Sequence, residues 1–196
     1  MKRTTLELSV LMLLVAAGAA SRIVFRELPN FAPIAAIALF AGYFFRSAWI
    51  ALLAPVASMV VSDAVIGGYQ WQMMLVVYGA LALPVAFGPL VRRLFLIETQ
   101  RPLQTVRSVT GLIGCSLACS LIFFLATNFA WWPWSDMYPK TTGGLVSCYA
   151  AGLPFFKYTL AGDLTYAGLL FGTYAVAAHL SRAPGIAGAG EIQGAA

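Results

Sequence analysis

Apolar positions run along this chain in long blocks, broken by short polar and aromatic stretches. The blocks are Met1–Ser21, Phe31–Phe45, Ala48–Ile66, Gln72–Val91, Val106–Ala130 and Thr159–Leu180. None of them alternates with a period of two over any length, which argues against a barrel. Most are long enough for a helix crossing the hydrocarbon core, which takes about 20 residues at 1.5 Å each. Phe31–Phe45 is short on that measure, and is expected to be tilted, kinked at Pro33 or shielded by its neighbours. The pattern predicts an all-α, polytopic six-helix bundle over residues 1–182. The small, polar tail 183–196 is expected to be disordered and cytoplasmic.

Composition agrees with that reading. The chain is 61% hydrophobic and only 10% charged, with a mean hydropathy of +0.84. A soluble domain carries roughly a quarter charged residues. The net charge of +5 is spread between the apolar blocks, so it speaks for membrane topology and against nucleic acid. Residues 1–21 combine a basic start, an apolar middle and a small-residue end. That is the pattern of a cleaved signal peptide, but a retained first helix is preferred because it makes the number of spans even.

With six spans and a cytoplasmic N-terminus, Lys2, Arg3, Arg46, Arg92, Arg93, Arg101, Arg107 and Arg182 fall inside. Arg22, Arg26, Lys140 and Lys157 fall at or near the outside. The bias has the sign the positive-inside rule requires and places both termini in the cytoplasm. The expected location is a bacterial cytoplasmic membrane, with lipid as the surrounding partner.

On this topology the polar-aromatic breaks gather on the outer side: RELPNF at 26–31, SDAVIGGYQW at 62–71 and ATNFAWWPWSDMYPK at 126–140. Tryptophans at a bilayer boundary ordinarily act as anchors, which suffices for Trp49. The cluster Trp131, Trp132 and Trp134 is expected to anchor and also to roof a site. Pro133 is expected to break the helix there, TTGG at 141–144 to turn the chain back, and GLVSCYAAGLPFF to form a short, shallow covering segment. Asp63 and Asp163 lie near the outer ends of spans, where an ionisable group faces a partner or a wet cavity unless it caps or anchors a helix at the interface. Thr159, Asp163 and Tyr166 share one helical stripe, and Asn128 shares a face with Trp131 and Trp132.

The candidate substrate-binding residues are therefore Asn30, Asp63, Tyr69, Trp71, Asn128, Trp131, Trp132, Tyr138, Lys140 and Asp163. Hydrogen-bonding groups beside aromatic planes suit an amphiphilic, ring-shaped ligand. Lys140 is read as meeting an acidic ligand group, pairing with Asp136 or standing solvated. Cys115 and Cys119 read as small buried hydrophobes, and Cys148 as a buried inert thiol in preference to a ligand for a soft metal centre in a bound cofactor; no metal or cofactor is called for. No nucleotide-binding glycine loop, HExxH or GxSxG occurs, and His179 is remote from the polar outer cluster, so no enzyme activity is expected. Ala16/Ala20 and Ala32/Ala36 are spaced four apart, which lets helices approach closely in lipid; they serve internal packing or dock a partner subunit.

The segments NFAPIAAIALFAGYFF, VVSDAVIGGYQW, FFLATNFAWW and YPKTTGGLVSCYAAGLPFF, over residues 22–175, resemble an uncharacterised bacterial family of small integral membrane proteins. That family is in turn similar to the S components of energy-coupling-factor vitamin transporters. The resemblance implies a subunit that binds a vitamin or similar micronutrient from the outer side. It also implies a transmembrane coupling subunit and two ATPases as possible partners, with Ala16 and Ala20 matching the docking motif on the first helix. The competing expectation is a structural or assembly subunit of a larger membrane complex.

Overall fold

The computed structural model describes residues 3–28, 30–95 and 102–182. The tail expected to be disordered lies outside these, as does most of the loop after Leu94. Among the described residues every regular element is helical: α1 (Arg3–Val24), α2 (Ile34–Phe44), α3 (Ala48–Ile66), α4 (Trp71–Ala82), α5 (Gly88–Leu94), α6 (Pro102–Trp134) and α7 (Thr142–Arg182). A five-residue 3-10 turn, Leu83–Phe87, joins α4 to α5 around Pro84 and keeps Trp71–Leu94 one apolar rod. Among the described residues four rods are apolar and long enough to cross a bilayer: Arg3–Val24, Ala48–Ile66, Trp71–Leu94 and Leu103–Trp134. Large apolar side chains such as Leu13, Val60, Leu75, Leu121 and Leu169 are exposed around the outside. Water would penalise that surface; lipid does not.

The short second block is the hub. At 1.5 Å per residue α2 is about 17 Å long, little more than half the ~30 Å hydrocarbon core. No residue from Ile34 to Ala41 is more than 5% exposed, as expected of a helix apolar on every face. It packs against α3, α4, α5, α6, α7, the 3-10 turn and, more lightly, α1. Pro33 does not kink it; it stands at the helix start, where a missing N–H costs nothing. At the other end Arg92 donates from Nη1 to the carbonyls of Gly42 (2.7 Å), Tyr43 (3.1 Å) and Phe45 (3.1 Å). A cation on the last carbonyls satisfies acceptors left over by the helix and complements its dipole.

Two close approaches hold the rods in register. A Cβ on Gly88 would overlap the Gly42 carbonyl oxygen, so α5 and α2 meet backbone to backbone. A Cβ on Gly18 would lie 2.5 Å from Ser58 Oγ, which sets α1 against α3. Leu14, Gly18 and Ala19 form the buried face of α1, whereas Ala16 and Ala20 are exposed on it. Ala36 is 2% exposed and Ala32 lies beside Gly162 of α7, so that pair is covered by the chain's own helices.

The segment GLVSCYAAGLPFF corrects an expectation. It is not a separate shallow segment; it forms the first half of α7, continuous with the last apolar block. Pro154 sits inside the helix without ending it, because α6 supports this half of α7. The Phe124 and Phe156 rings pack tilted, with centroids 4.7 Å apart, and the Tyr149 hydroxyl donates to the Leu125 carbonyl at 3.0 Å. Gly152 lets Asn128 approach, with Oδ1 2.5 Å from where a Cβ would be. Likewise Pro133 lies inside α6, which ends one residue later at Trp134.

Candidate functional site

The connections α1–α2, α3–α4 and α6–α7 lie together at one end of the bundle, called here the Asn30 end. Two adjoining cavities open there. The larger, about 320 Å³, is lined by residues of the α1–α2 connection with Tyr69, Leu81 and Asp163. The smaller, about 240 Å³, lies between α4, α6 and α7 and includes Asn128 and Trp131. Asn30, Val77, Phe123 and Thr159 line both. Asn30 has φ +61°, a left-handed conformation that asparagine tolerates better than most residues.

Asp163 comes from α7 and is 3% exposed. Its Oδ2 accepts a hydrogen bond from Ser120 Oγ of α6 at 2.5 Å, and it lines the larger cavity. Thr159 is one helical turn earlier on the same face, and Tyr166 packs on Phe31 with ring centroids 5.6 Å apart. Asn128 donates from Nδ2 to the Phe124 carbonyl at 2.8 Å, so its amide is braced along its own helix.

Asp63 is used differently. It is 7% exposed, pairs with Arg22 Nη1 at 2.8 Å and accepts from the Tyr78 hydroxyl at 2.6 Å. Arg22 also donates to Ser62 Oγ at 2.5 Å, and itself lines the larger cavity. Asp63 is therefore the support behind a cavity wall. Tyr69 lies in the loop before α4, and its phenol is pushed up to about 12 by burial first and by the Asp63 carboxylate second, with Arg22 opposing.

Thus Asn30, Tyr69, Asn128, Trp131 and Asp163 line the cavities, and Asp63 stands behind them. Trp71, Trp132, Tyr138 and Lys140 do not line either one. Trp71 is 67% exposed. Trp132 and Lys140 instead clasp the α6–α7 connection: Trp132 Nε1 donates to the Pro139 carbonyl at 2.9 Å. Lys140 Nζ donates to the carbonyls of Trp132 (2.7 Å) and Ser135. The pairing with Asp136 weighed for Lys140 does not form among the described residues. Cys148 is buried, with Sγ 3.6 Å from the Asn128 carbonyl oxygen.

Sequence reasoning misses Arg22, Phe31, Phe123, Ser120 and Tyr78. Arg22 carried a usable signal, since a lone cation ending one apolar block and a lone carboxylate ending another invite a pair. Phe31 and Phe123 carried none, being apolar residues among apolar neighbours.

A third, larger hollow of about 540 Å³ runs along α6 and α7 away from this end, lined almost wholly by apolar groups such as Leu112, Leu164 and Phe171. Among the described residues no cluster of His, Cys, Asp and Glu could hold a metal ion.

No curated protein and no solved structure matches the chain. Residues 2–185 match a protein family of unknown function, DUF6580, and the chain belongs to that family.

Proposed function

We propose that this chain is the membrane-embedded substrate-binding subunit of an uptake system for a vitamin-sized micronutrient. The observation that carries the reading is the pair of joined cavities at the Asn30 end, which combine a buried carboxylate, two amides and aromatic walls. Pockets of a few hundred Å³ with few polar groups and much apolar lining suit small amphiphilic ligands. The distribution of Lys and Arg supports an outward-facing Asn30 end, six crossings and cytoplasmic termini. This plan is similar to that of the S components. The exposed Ala16/Ala20 face of α1 is where a transmembrane coupling subunit, itself driven by ATPases, would dock.

The role is read as binding: Asp163 lines the larger cavity and accepts a hydrogen bond from Ser120. The test is native mass spectrometry of the chain purified gently from its own host membrane. The expected result is a reproducible small-molecule adduct that is lost in a folded Asp163→Ala variant. A stable protein partner with no adduct, that partner being other than a coupling module, would replace this reading with that of an assembly subunit.

A further inference from the structure

We propose that the larger cavity takes a small organic cation, held by the Asp163 carboxylate and faced by aromatic rings. The inference rests on the binding-subunit reading and names its substrate class.

The charges around the cavity are unevenly committed. Arg22 pairs with Asp63 at 2.8 Å; Arg26, which also lines the cavity, is exposed beside the equally exposed Glu27 at 3.2 Å, where solvent screens its charge. Asp163 has only a neutral donor, Ser120, on one oxygen. No described residue pairs with or donates to the other oxygen. A nearly buried carboxylate without a counter-charge is expensive, and the expense falls steeply when a positive group comes within contact. A neutral occupant offers no such gain, and an anionic one adds repulsion.

The walls point the same way. Phe25, Phe31 and Phe123 line the cavity. Phe25 meets Phe31 edge-on at 5.7 Å, and Tyr166 extends the group at 5.6 Å from Phe31. Ring faces carry negative potential and attract weakly hydrated organic cations. An inorganic cation would want a shell of six or more oxygens, which one carboxylate among phenylalanines does not supply. The opening toward the smaller cavity, past Asn30 and Thr159, leaves room for a polar or ring-bearing arm.

The experiment is calorimetric titration of the full chain in nanodiscs with two matched probe pairs. The pairs are choline against its neutral isostere dimethylbutanol, and the N-methylnicotinamide cation against neutral nicotinamide. Each pair differs chiefly in charge. The expected result is a preference for the cationic member of about ten-fold or more, the size given by a desolvated cation–aromatic contact plus a charge-assisted one. Asp163→Asn keeps the shape and an acceptor for Ser120, and should collapse the preference to about unity. Equal binding of both members by the natural chain overturns the cation assignment while leaving the binding-subunit reading standing. A preference that survives in Asp163→Asn overturns the role of Asp163. Failure of all four probes to bind the folded chain overturns the cation assignment, and the binding-subunit reading then stands or falls on the native adduct alone. Because the natural chain alone distinguishes the pairs, the test does not depend on the variant folding.

Discussion

Arg22 and Asp63 show why one polar residue at this end cannot be changed without its partner. Arg22→Ala leaves Asp63 buried beside Tyr78 without a counter-charge, which should cost about 3–5 kcal/mol. Arg22→Met combined with Asp63→Leu removes both charges and should recover most of that loss. Thermal unfolding in detergent, followed by tryptophan fluorescence, measures both; an unchanged melting temperature in Arg22→Ala would discard the pair as a stabilising contact. Tyr69 gives a pH dependence of definite sign. Its folded-state value, about 12, is above the ordinary 10.0, so its contribution is fully present below pH 10 and is lost as pH rises toward 12. Tyr69→Phe should therefore flatten the alkaline limb of the stability profile, and identical limbs would contradict this. Asp163 and Asn128 are legible in the sequence because a bilayer makes such residues expensive inside an apolar run. Which carboxylate is paired is not legible. Arg22 and Asp63 meet through the packing of α1 on α3, and no local pattern encodes that contact.

Among the elements, α3 is the most legible. Ser47 precedes it, its hydroxyl accepting from Ile50 N–H at 3.5 Å, and Gly67 follows it with φ +102°, a conformation that favours glycine. The continuity of α7 is hidden, because Pro154 reads as a breaker and only the contact with α6 overrides it. The contact of α2 with α5 is hidden too, since nothing in GPLVRRL marks Gly88 as touching Gly42. Gly88→Ala should destabilise by about 1–3 kcal/mol or abolish folding, because backbone cannot yield to a new methyl group. Gly114→Ala on α6, where a Cβ meets nothing within 4 Å, should instead stabilise by about 0.5–1 kcal/mol through helix propensity. Comparable melting temperatures for the two variants would refute the close approach. The α6–α7 connection makes a further prediction. Lys140→Met removes the donor to two carbonyls at the end of α6, so hydrogen exchange across 135–141 should quicken several-fold. Ligand affinity should stay unchanged, and a loss of affinity with unaltered exchange would return Lys140 to the binding site.

At the scale of the whole molecule the informative feature is the mismatch of helix lengths. At 1.5 Å per residue α6 reaches about 50 Å and α7 about 60 Å, against a hydrocarbon core of ~30 Å. Their turns at the Asn30 end stand together, joined by Phe124–Phe156 and Tyr149–Leu125, and they wall the smaller cavity. The short α2 has the opposite mismatch, and its burial among the other helices leaves a depression at the same end, beside Phe31 and Ala32. Cavity and projecting hairpin thus follow from one cause, the unequal lengths of rods packed around a central stub. If the charge bias orients the bundle as proposed, the hairpin faces outward. A cysteine placed at Met137, which is 69% exposed, should react with a membrane-impermeant maleimide in intact cells. A cysteine at Ser181, exposed at the other extreme of α7, should react only after permeabilisation. The three natural cysteines are buried and should contribute little background. The reverse labelling pattern would turn the cavities toward the cytoplasm. Uptake of an external micronutrient would then lose its geometric basis, whereas the cation preference of the cavity would be untouched.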